Sequence, residues 1–228
     1  MNGIGVLNEQ HLHRALKDFY AQDGAHTEVK IQGYVVDVVR EDGLVEIQTG
    51  NFTSIKHKLA ALVQYYPLKL VYPIATEKWL LKYPDKDGKG TPTRRKSPKR
   101  ARPVAVFEEL VRFPQLLISP NFTLDIVLIQ EEEVRCRARR HTWRNKGWRT
   151  VERRLLEVVE VQTYENPAQM ARFLPETLSQ TFTSADLTEK LAISRRLAGR
   201  MAYCLREMGT IEQVGKRNRF NLYARSMR

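Results

Sequence analysis

The sequence is poor in cysteine and in long apolar runs. Its two cysteines, Cys136 and Cys204, lie far apart and form no CxxC pair, so neither a disulfide framework nor a zinc knuckle can be built from them. No apolar segment approaches the ~18 residues that span a bilayer, and the first residues lack the pattern of a secretion signal. We therefore expect a soluble, cytoplasmic protein with reduced thiols and no membrane partner.

Positive charge is in excess, and it is unevenly distributed. The chain has 38 Lys and Arg against 26 Asp and Glu, a net charge of +12. Residues 1–74 hold 7 basic and 8 acidic side chains, residues 75–154 hold 20 and 10, and residues 155–228 hold 11 and 8. Because each phosphate neutralised by Lys or Arg releases a condensed counterion, this excess favours a polyanionic partner. Ribosomal, chaperone and membrane-surface proteins can be equally basic, so charge alone does not decide the function.

The first 74 residues alternate between helical and strand-like patterns. Leu12, Leu16 and Tyr20 share one face of the first helix, and Asp42-Gly43 is a strong signal for a two-residue hairpin turn. The predicted elements are a helix, three strands, a helix and a strand, at residues 8–22, 28–32, 34–40, 44–49, 52–65 and 68–74. The last strand is largely apolar, which is typical of the centre of a sheet.

The remaining residues predict a basic middle and a different C-terminal part. Residues 82–102 are basic and interrupted by prolines, which is typical of a mobile loop, and residues 139–150 form a basic turn with tryptophans. The other predicted elements are a helix, two strands, two helices and two strands, at residues 104–113, 123–137, 154–161, 183–191, 193–208, 211–214 and 220–224. The last four follow the order of a winged helix-turn-helix.

Three polar side chains interrupt the apolar pattern of the hairpin. Asp37 lies among four valines, and Glu46 and Gln48 alternate with apolar residues on the next strand. With Asp42-Gly43 as the turn, Gln48 lies opposite Asp37 and Glu46 lies diagonal to it, so all three project from one face. Two carboxylates this close repel each other unless a cation joins them, and oxygen ligands suit Mg²⁺.

This pattern resembles the PD-(D/E)XK nuclease superfamily. The resemblance rests on the α-β-β-β-α-β order with Asp37 on the second strand and Glu46-x-Gln48 on the third, and it covers about residues 8–74. It implies an α+β, restriction-endonuclease-like core with a mixed sheet. It further implies hydrolysis of DNA phosphodiesters with Mg²⁺ or Mn²⁺, in which Asp37 and Glu46 hold the metal and Gln48 positions water.

The chain departs from that family at Gln48, where lysine is usual. Some similar restriction enzymes carry Glu-x-Gln, but a glutamine supplies no positive charge. Lys56 or Lys58 could supply it from the following helix, with Lys30 as a weaker candidate, and we take Lys56 as the catalytic lysine. In similar nucleases an N-terminal glutamate adds an outer carboxylate, which points to Glu28 as a further metal ligand.

Other interpretations of the same residues stay open. Asp37 could be a structural carboxylate paired with Lys30 or Arg40, and Glu46 and Gln48 could belong to an ordinary solvated face. His11 and His13 are two residues apart on a helix and so diverge, which makes them a poor metal pair. We assign these histidines no role.

Basic residues interleaved with tryptophans are typical of surfaces that contact phosphates and stack bases. The predicted nucleic-acid-binding residues are Lys58, Arg94, Arg95, Lys96, Arg139, Arg140, Trp143, Arg144, Lys146, Trp148, Arg195, Arg196, Arg200, Lys216, Arg217 and Arg219. The middle stretch could instead be a solvated basic face, and the C-terminal helices could serve packing or dimerisation.

The sequence thus predicts a nuclease-like core at 1–75, a basic β-rich extension at 76–165 and a winged-helix-like DNA-binding module at 176–228. The predicted activity is that of a Mg²⁺-dependent endonuclease acting on DNA, with no nucleotide cofactor. The alternative is a DNA-binding regulator or accessory factor on a nuclease-like fold that has lost catalysis. RNA or branched DNA as substrate and a homodimer as the working form stay open.

Overall fold

The helices and strands predicted for the first 74 residues occur in the predicted order in the computed structural model, which describes residues 7–21, 24–138 and 146–226. The helices are α1 (Leu7–Tyr20), α2 (Lys56–Leu62), α3 (Phe107–Leu110), α4 (Pro167–Met170), α5 (Ser184–Leu191) and α6 (Arg195–Glu207). The strands are β1 (His26–Ile31), β2 (Tyr34–Arg40), β3 (Gly43–Ile47), β4 (Leu68–Lys82), β5 (Thr93–Lys96), β6 (Phe122–Arg137), β7 (Trp148–Tyr164), β8 (Thr181–Phe182), β9 (Ile211–Arg217) and β10 (Phe220–Arg225). The predicted α+β class is confirmed.

Strand β4 lies at the centre of a seven-stranded mixed sheet. The strand order is β1-β2-β3-β4-β6-β7, and β5 pairs with the distal end of β4. β4 runs parallel to β3 and β6, whereas the pairs β1–β2, β2–β3 and β6–β7 are antiparallel. Leu70 and Val71 pack into separate apolar clusters on opposite faces, which explains the apolar run at the start of β4. The predicted central position is confirmed.

Helix α1 packs on one face of the sheet and is fixed there by a buried polar contact. Leu12 and Leu16 belong to the smaller apolar cluster, together with residues of β2, β3, β4 and β6. The Tyr20 hydroxyl donates to Oδ2 of the buried Asp125 at 2.9 Å. Asp125 also accepts from Thr163 and pairs with Lys69, so the hydrogen bond joins α1 to a carboxylate that the sheet holds in place. This position of α1 brings His13 to β2.

Strands β4 and β7 are longer than predicted. β4 continues to Lys82 and β7 begins at Trp148, so the sheet extends beyond β1, β2 and β3. In this part β5 pairs with β4, with Lys96 opposite Trp79. We call this part the β-extension, which comprises residues 76–82, 93–96, 130–137 and 148–155. The segment 82–102, predicted as a loop, therefore contributes a strand.

The C-terminal part packs onto the main core. It contains α5, α6 and a three-stranded sheet in the order β8-β10-β9. Thr183 and Asp186 form a capping box at the start of α5, and the Ser194 side chain caps α6. Met201 and Leu205 of α6 join the larger apolar cluster, so this part shares its core with the main sheet. None of the described helices is both long and apolar enough to cross a membrane.

Candidate active site and nucleic-acid interface

The hairpin between β2 and β3 turns one residue earlier than predicted. Arg40 pairs with Gly43, so the turn consists of Glu41 and Asp42. Gly43 begins β3 with a φ of 142°, and a Cβ at this position would lie 2.5 Å from the Pro67 carbonyl oxygen. The glycine is required by this close approach to the chain that precedes β4, and not by the turn itself.

The earlier turn changes which side chains face each other. The predicted register, with Gln48 opposite Asp37, is wrong. If the observed pairing is continued by one residue, Glu46 and not Gln48 lies opposite Asp37. The last paired residues are Val38 and Val45; beyond them the backbone amide of Ile47 donates to Asp37 Oδ2 at 2.8 Å. The Asp37 carboxylate thus takes the place of a backbone acceptor where the two strands part.

His13 of α1 is a partner of Asp37 that the sequence did not indicate. Its Nε2 atom lies 3.2 Å from Asp37 Oδ2. The alternative in which Asp37 pairs with Arg40 is wrong, because the Arg40 guanidinium binds Asp42 through two bonds of 2.9 Å. The hydrogen bond with Asp37 raises the pKa of His13, although burial opposes the change.

The two carboxyl groups have opposite pKa shifts. Burial acts to raise the pKa of Asp37, but the hydrogen bond and charge of His13 and the Ile47 amide outweigh it, so the pKa is lowered. Burial, followed by the charge of Asp37, raises the pKa of Glu46 to about 7, although Lys58 opposes the shift. Asp37 therefore carries the negative charge of the pair at neutral pH, and Glu46 titrates there.

Lys58 supplies the positive charge that Gln48 cannot. Its Nζ atom donates to Glu46 Oε2 and, at 2.5 Å, to the Val35 carbonyl oxygen. The side chains of Lys58 and Glu46 are 14% and 6% exposed, so the pair is nearly enclosed. The interpretation of Glu46 as part of a solvated face is therefore wrong.

The other predicted site residues lie at the edge of this group or away from it. The Gln48 side-chain nitrogen donates to the carbonyl oxygens of Gly50 and Asn51 and to Ser54, so it holds the loop after β3. Glu28 is exposed and pairs with Lys17 at 2.5 Å. Lys56 is exposed and forms no ion pair with a described residue.

The structure therefore brings together Asp37, Glu46, Lys58 and His13. Within the described ranges no group of three or more His, Cys, Asp or Glu side chains is arranged to hold a metal ion, so the carboxylates stand as a pair. Two oxygen donors of this kind match what Mg²⁺ takes from a protein when the substrate phosphate and water supply the rest. The enclosed cation of Lys58 suits a reaction that develops negative charge nearby.

The β-extension carries tryptophans that are covered by cationic side chains. The Arg94 guanidinium lies 4.1 Å from the ring centroid of Trp79, a tryptophan that the sequence analysis did not single out. Lys82 and Arg137 lie 4.6 and 4.4 Å from the ring centroid of Trp148. These rings therefore order the basic side chains along the surface through cation–π contacts, and they are less open for base stacking than predicted.

The basic residues of the β-extension differ in how strongly acidic neighbours engage them. Arg94 pairs with Glu132 at 2.7 Å, and Lys96 pairs with Glu77 at 2.6 Å. Arg95 and Lys146 are exposed and form no ion pair with any residue in the described parts of the chain. The predicted contacts Arg139, Arg140, Trp143 and Arg144 lie outside the described residues.

The arginines at the start of α6 face two different environments. Arg195 is exposed, whereas Arg200 donates to both the carboxylate and, at 2.7 Å, the backbone oxygen of Glu108 in α3. Arg196 lies 3.2 Å from the same carboxylate and is 71% exposed. Arg200 therefore fastens α6 to the core, and Arg195 is the more open to a ligand.

The basic residues of the hairpin formed by β9 and β10 also differ in their surroundings. Arg217 is ion-paired with Asp186 at the start of α5. Lys216 and Arg219 are exposed, and the Arg219 guanidinium lies 5.2 Å from the Phe220 ring centroid. The predicted wing thus has two side chains directed to solvent and one that ties it to α5.

Comparison with known proteins places the chain in a family. No solved structure matches it. A protein of Treponema pallidum (strain Nichols) described as "Uncharacterized protein" is 33% identical over 222 residues, which cover 96% of this chain and 86% of that relative. The family model described as "Domain of unknown function (DUF8091)" matches residues 10–165, from α1 to the end of β7. The chain belongs to this family.

Proposed function

We propose that the protein is a nuclease that hydrolyses DNA phosphodiesters with Mg²⁺ or Mn²⁺ held by Asp37 and Glu46. The observation that carries this proposal is the enclosed pair of opposed carboxylates with a lysine on one of them. The pKa of Glu46, raised to about 7 by burial and by Asp37, shows that a second negative charge is unfavourable there. A divalent cation would remove that penalty, so the donor set fits the metal.

The protein's own groups would divide the work as follows. A bound metal would polarise the scissile phosphate and lower the pKa of a water molecule. Lys58 would stabilise negative charge that develops on the phosphate. His13 would hold Asp37 in one orientation by binding Oδ2, the oxygen that also accepts from Ile47. Gln48 would position water indirectly, by holding the loop after β3 through its side-chain nitrogen.

DNA is the proposed substrate because exposed cationic side chains lie both on the main sheet and on helix α6 of the C-terminal part. The exposed Arg95 of the β-extension, the exposed Lys146 just before β7 and the exposed Arg195 of α6 supply phosphate contacts without a competing carboxylate among the described residues. Restriction-endonuclease-like and winged-helix architecture are part of this proposal. RNA or branched DNA would satisfy the same contacts, and competition between substrates separates them.

A second candidate is a DNA-binding protein that does not cleave. It is favoured by the ion pair of Lys58 with Glu46 and the hydrogen bond of His13 with Asp37, which satisfy both carboxylates without a metal. In this case the group would be a structural element that joins α1 and α2 to the hairpin. Binding without metal-dependent cleavage distinguishes it.

The test is incubation of the protein with linear, nicked, single-stranded and branched DNA, with and without Mg²⁺ or Mn²⁺. The variant is Glu46→Gln, and the matched control is Glu41→Gln in the exposed turn. We expect cleavage by wild type and the control only with metal, and none by Glu46→Gln. Equal binding of DNA by all three proteins together with no cleavage would support the second candidate.

A further inference from the structure

A cavity of about 670 Å³ lies beside the candidate site. Thr49, the residue after Gln48, forms part of its wall, and the strand segment 72–75 of β4 forms another part. Residues 98–101, between β5 and α3, form a third part of the wall, and the cavity is open to solvent. This wall is ordered, because Ser97 N–H donates to Lys78 O at 2.7 Å and Ala101 N–H donates to Ala75 O at 3.1 Å.

The base of the cavity contains charged side chains that form ion pairs with one another. Glu131 is fully buried; its Oε1 lies 2.6 Å from Lys78 Nζ, and its Oε2 accepts from Arg153 at 2.6 and 2.9 Å. Lys78 and Arg153 are each about one quarter exposed, so they still reach the cavity. A buried carboxylate that holds two cations in fixed positions preorganises them for an anion.

The balance of charge in the cavity is positive. Lys99 and Arg100 lie on its rim and are exposed, so four cationic side chains and one carboxylate line it. Behind the lining, Glu133 lies 3.2 Å from Lys78 Nζ and Glu77 lies 3.8 Å from Arg100, so the four cations exceed the three carboxylates near them by one. Two of these cations are in fixed positions on β4 and β7, and two lie on the facing segment. Such an arrangement binds a phosphate from two sides.

Most of the other lining residues are apolar, and Tyr72 among them is aromatic. The Phe52 ring packs against Tyr72 with 4.9 Å between centroids in an edge-on arrangement, which holds the tyrosine in place. An aromatic side chain near a phosphate site suits a nucleobase, and the volume lies within the range of small-ligand pockets.

We propose that this cavity binds one unpaired nucleotide, with its phosphate on Lys78, Arg153 and the rim cations and its base against Tyr72. The next step rests on the proposed function. If the scissile phosphate binds at Asp37 and Glu46, the cavity would receive the nucleotide next to that phosphate. The preferred substrate is therefore DNA with an unpaired strand, such as a flap, an open end or a bubble. An intact duplex would have to release a base first, which costs unstacking energy.

The test measures binding of thymidine 5′-monophosphate to the full chain by calorimetry without metal, with inorganic phosphate and thymidine as reference ligands. We expect the nucleotide to bind more tightly than either reference. Lys99→Ala combined with Arg100→Ala should weaken it about tenfold, since two charge-assisted contacts are lost. Ala101→Trp should fill the cavity and prevent binding. The matched controls are Lys86→Ala with Lys89→Ala, and Ala60→Trp on the exposed side of α2.

Two outcomes would overturn the cavity assignment: no binding of the nucleotide, or binding that Ala101→Trp leaves unchanged. Binding no tighter than that of phosphate would show an anion site without a base site, and would equally contradict the proposal. The nuclease proposal is judged separately, because Glu46→Gln should bind the nucleotide like wild type. In a cleavage assay with metal, Ala101→Trp should lose the preference for flapped over fully paired DNA; an unchanged preference would contradict the substrate class.

Discussion

The pKa of Glu46 leads to a prediction about stability in the absence of metal. In Glu46→Gln the side chain keeps its shape and its acceptor for Lys58 but carries no charge. Wild type should therefore lose stability with rising pH in a range where the variant does not. Because Asp37 and His13 are present in both proteins, the difference between the two reports the charge of residue 46 together with its interactions with these neighbours.

The sign and size follow from the pKa shift. A carboxyl group with a pKa of about 7 in the folded chain and 4.5 as its ordinary value binds more protons when folded at the pH values between them. Its contribution to stability is fully present below pH 4.5 and is lost as the pH rises through about 7. The difference corresponds to about 3 kcal/mol of unfolding free energy at pH 8. The raised pKa of His13 acts in the same direction in both proteins.

The assay is urea unfolding of wild type, Glu46→Gln and the exposed control Glu41→Gln at pH 5, 6, 7 and 8 in a chelating buffer. The unfolding free energy of wild type should fall by about 2–3 kcal/mol relative to Glu46→Gln over this range, and the control should follow wild type. Parallel curves for wild type and Glu46→Gln would refute the argument that burial and Asp37 disfavour the charge.

Four further predictions concern individual side chains. Asp37→Asn should abolish metal-dependent cleavage and leave DNA affinity unchanged in a binding titration; cleavage at the wild-type rate would remove Asp37 from the site. Gln48→Lys should keep cleavage, because an ammonium group can donate to the same loop; loss of cleavage would show that the glutamine carbonyl oxygen is required. Arg200→Ala should lower the unfolding free energy by about 1–3 kcal/mol through the lost bonds to Glu108. In contrast, Arg195→Ala should leave stability unchanged and flatten the salt dependence of DNA binding by roughly one unit of slope.

The order of elements could be predicted because the apolar period is clear in the first 74 residues. The register of the hairpin could not be predicted, because the glycine of Asp42-Gly43 can serve either a turn or a close backbone approach, and the sequence does not distinguish the two. Gly43 suits a turn, but here it serves the close approach to Pro67. Asp37 and Glu46 still interact through their charges, but their partners come from helices on opposite faces of the sheet, His13 from α1 and Lys58 from α2.

The residues that were missed lie where the relevant contact is distant in sequence. The spacing of His11 and His13 describes only their own helix, whereas the partner of His13 is Asp37 on a strand. Strand β5 was hidden because Pro92 and Pro98 flank a basic run that has no apolar alternation. The choice of Lys56 over Lys58 could not be made from spacing alone, because only the packing of α2 decides which lysine reaches Glu46.

The central claim is that Asp37 and Glu46 together hold a divalent cation, and a Mn²⁺ titration followed by electron paramagnetic resonance tests it most directly. The titration is carried out at pH 8 on wild type, Glu46→Gln and Glu41→Gln. We predict one bound Mn²⁺ in wild type and in Glu41→Gln, and an affinity at least about tenfold weaker in Glu46→Gln, since a carboxylate ligand is lost. Equal Mn²⁺ binding by all three proteins, or none by wild type, would contradict the account.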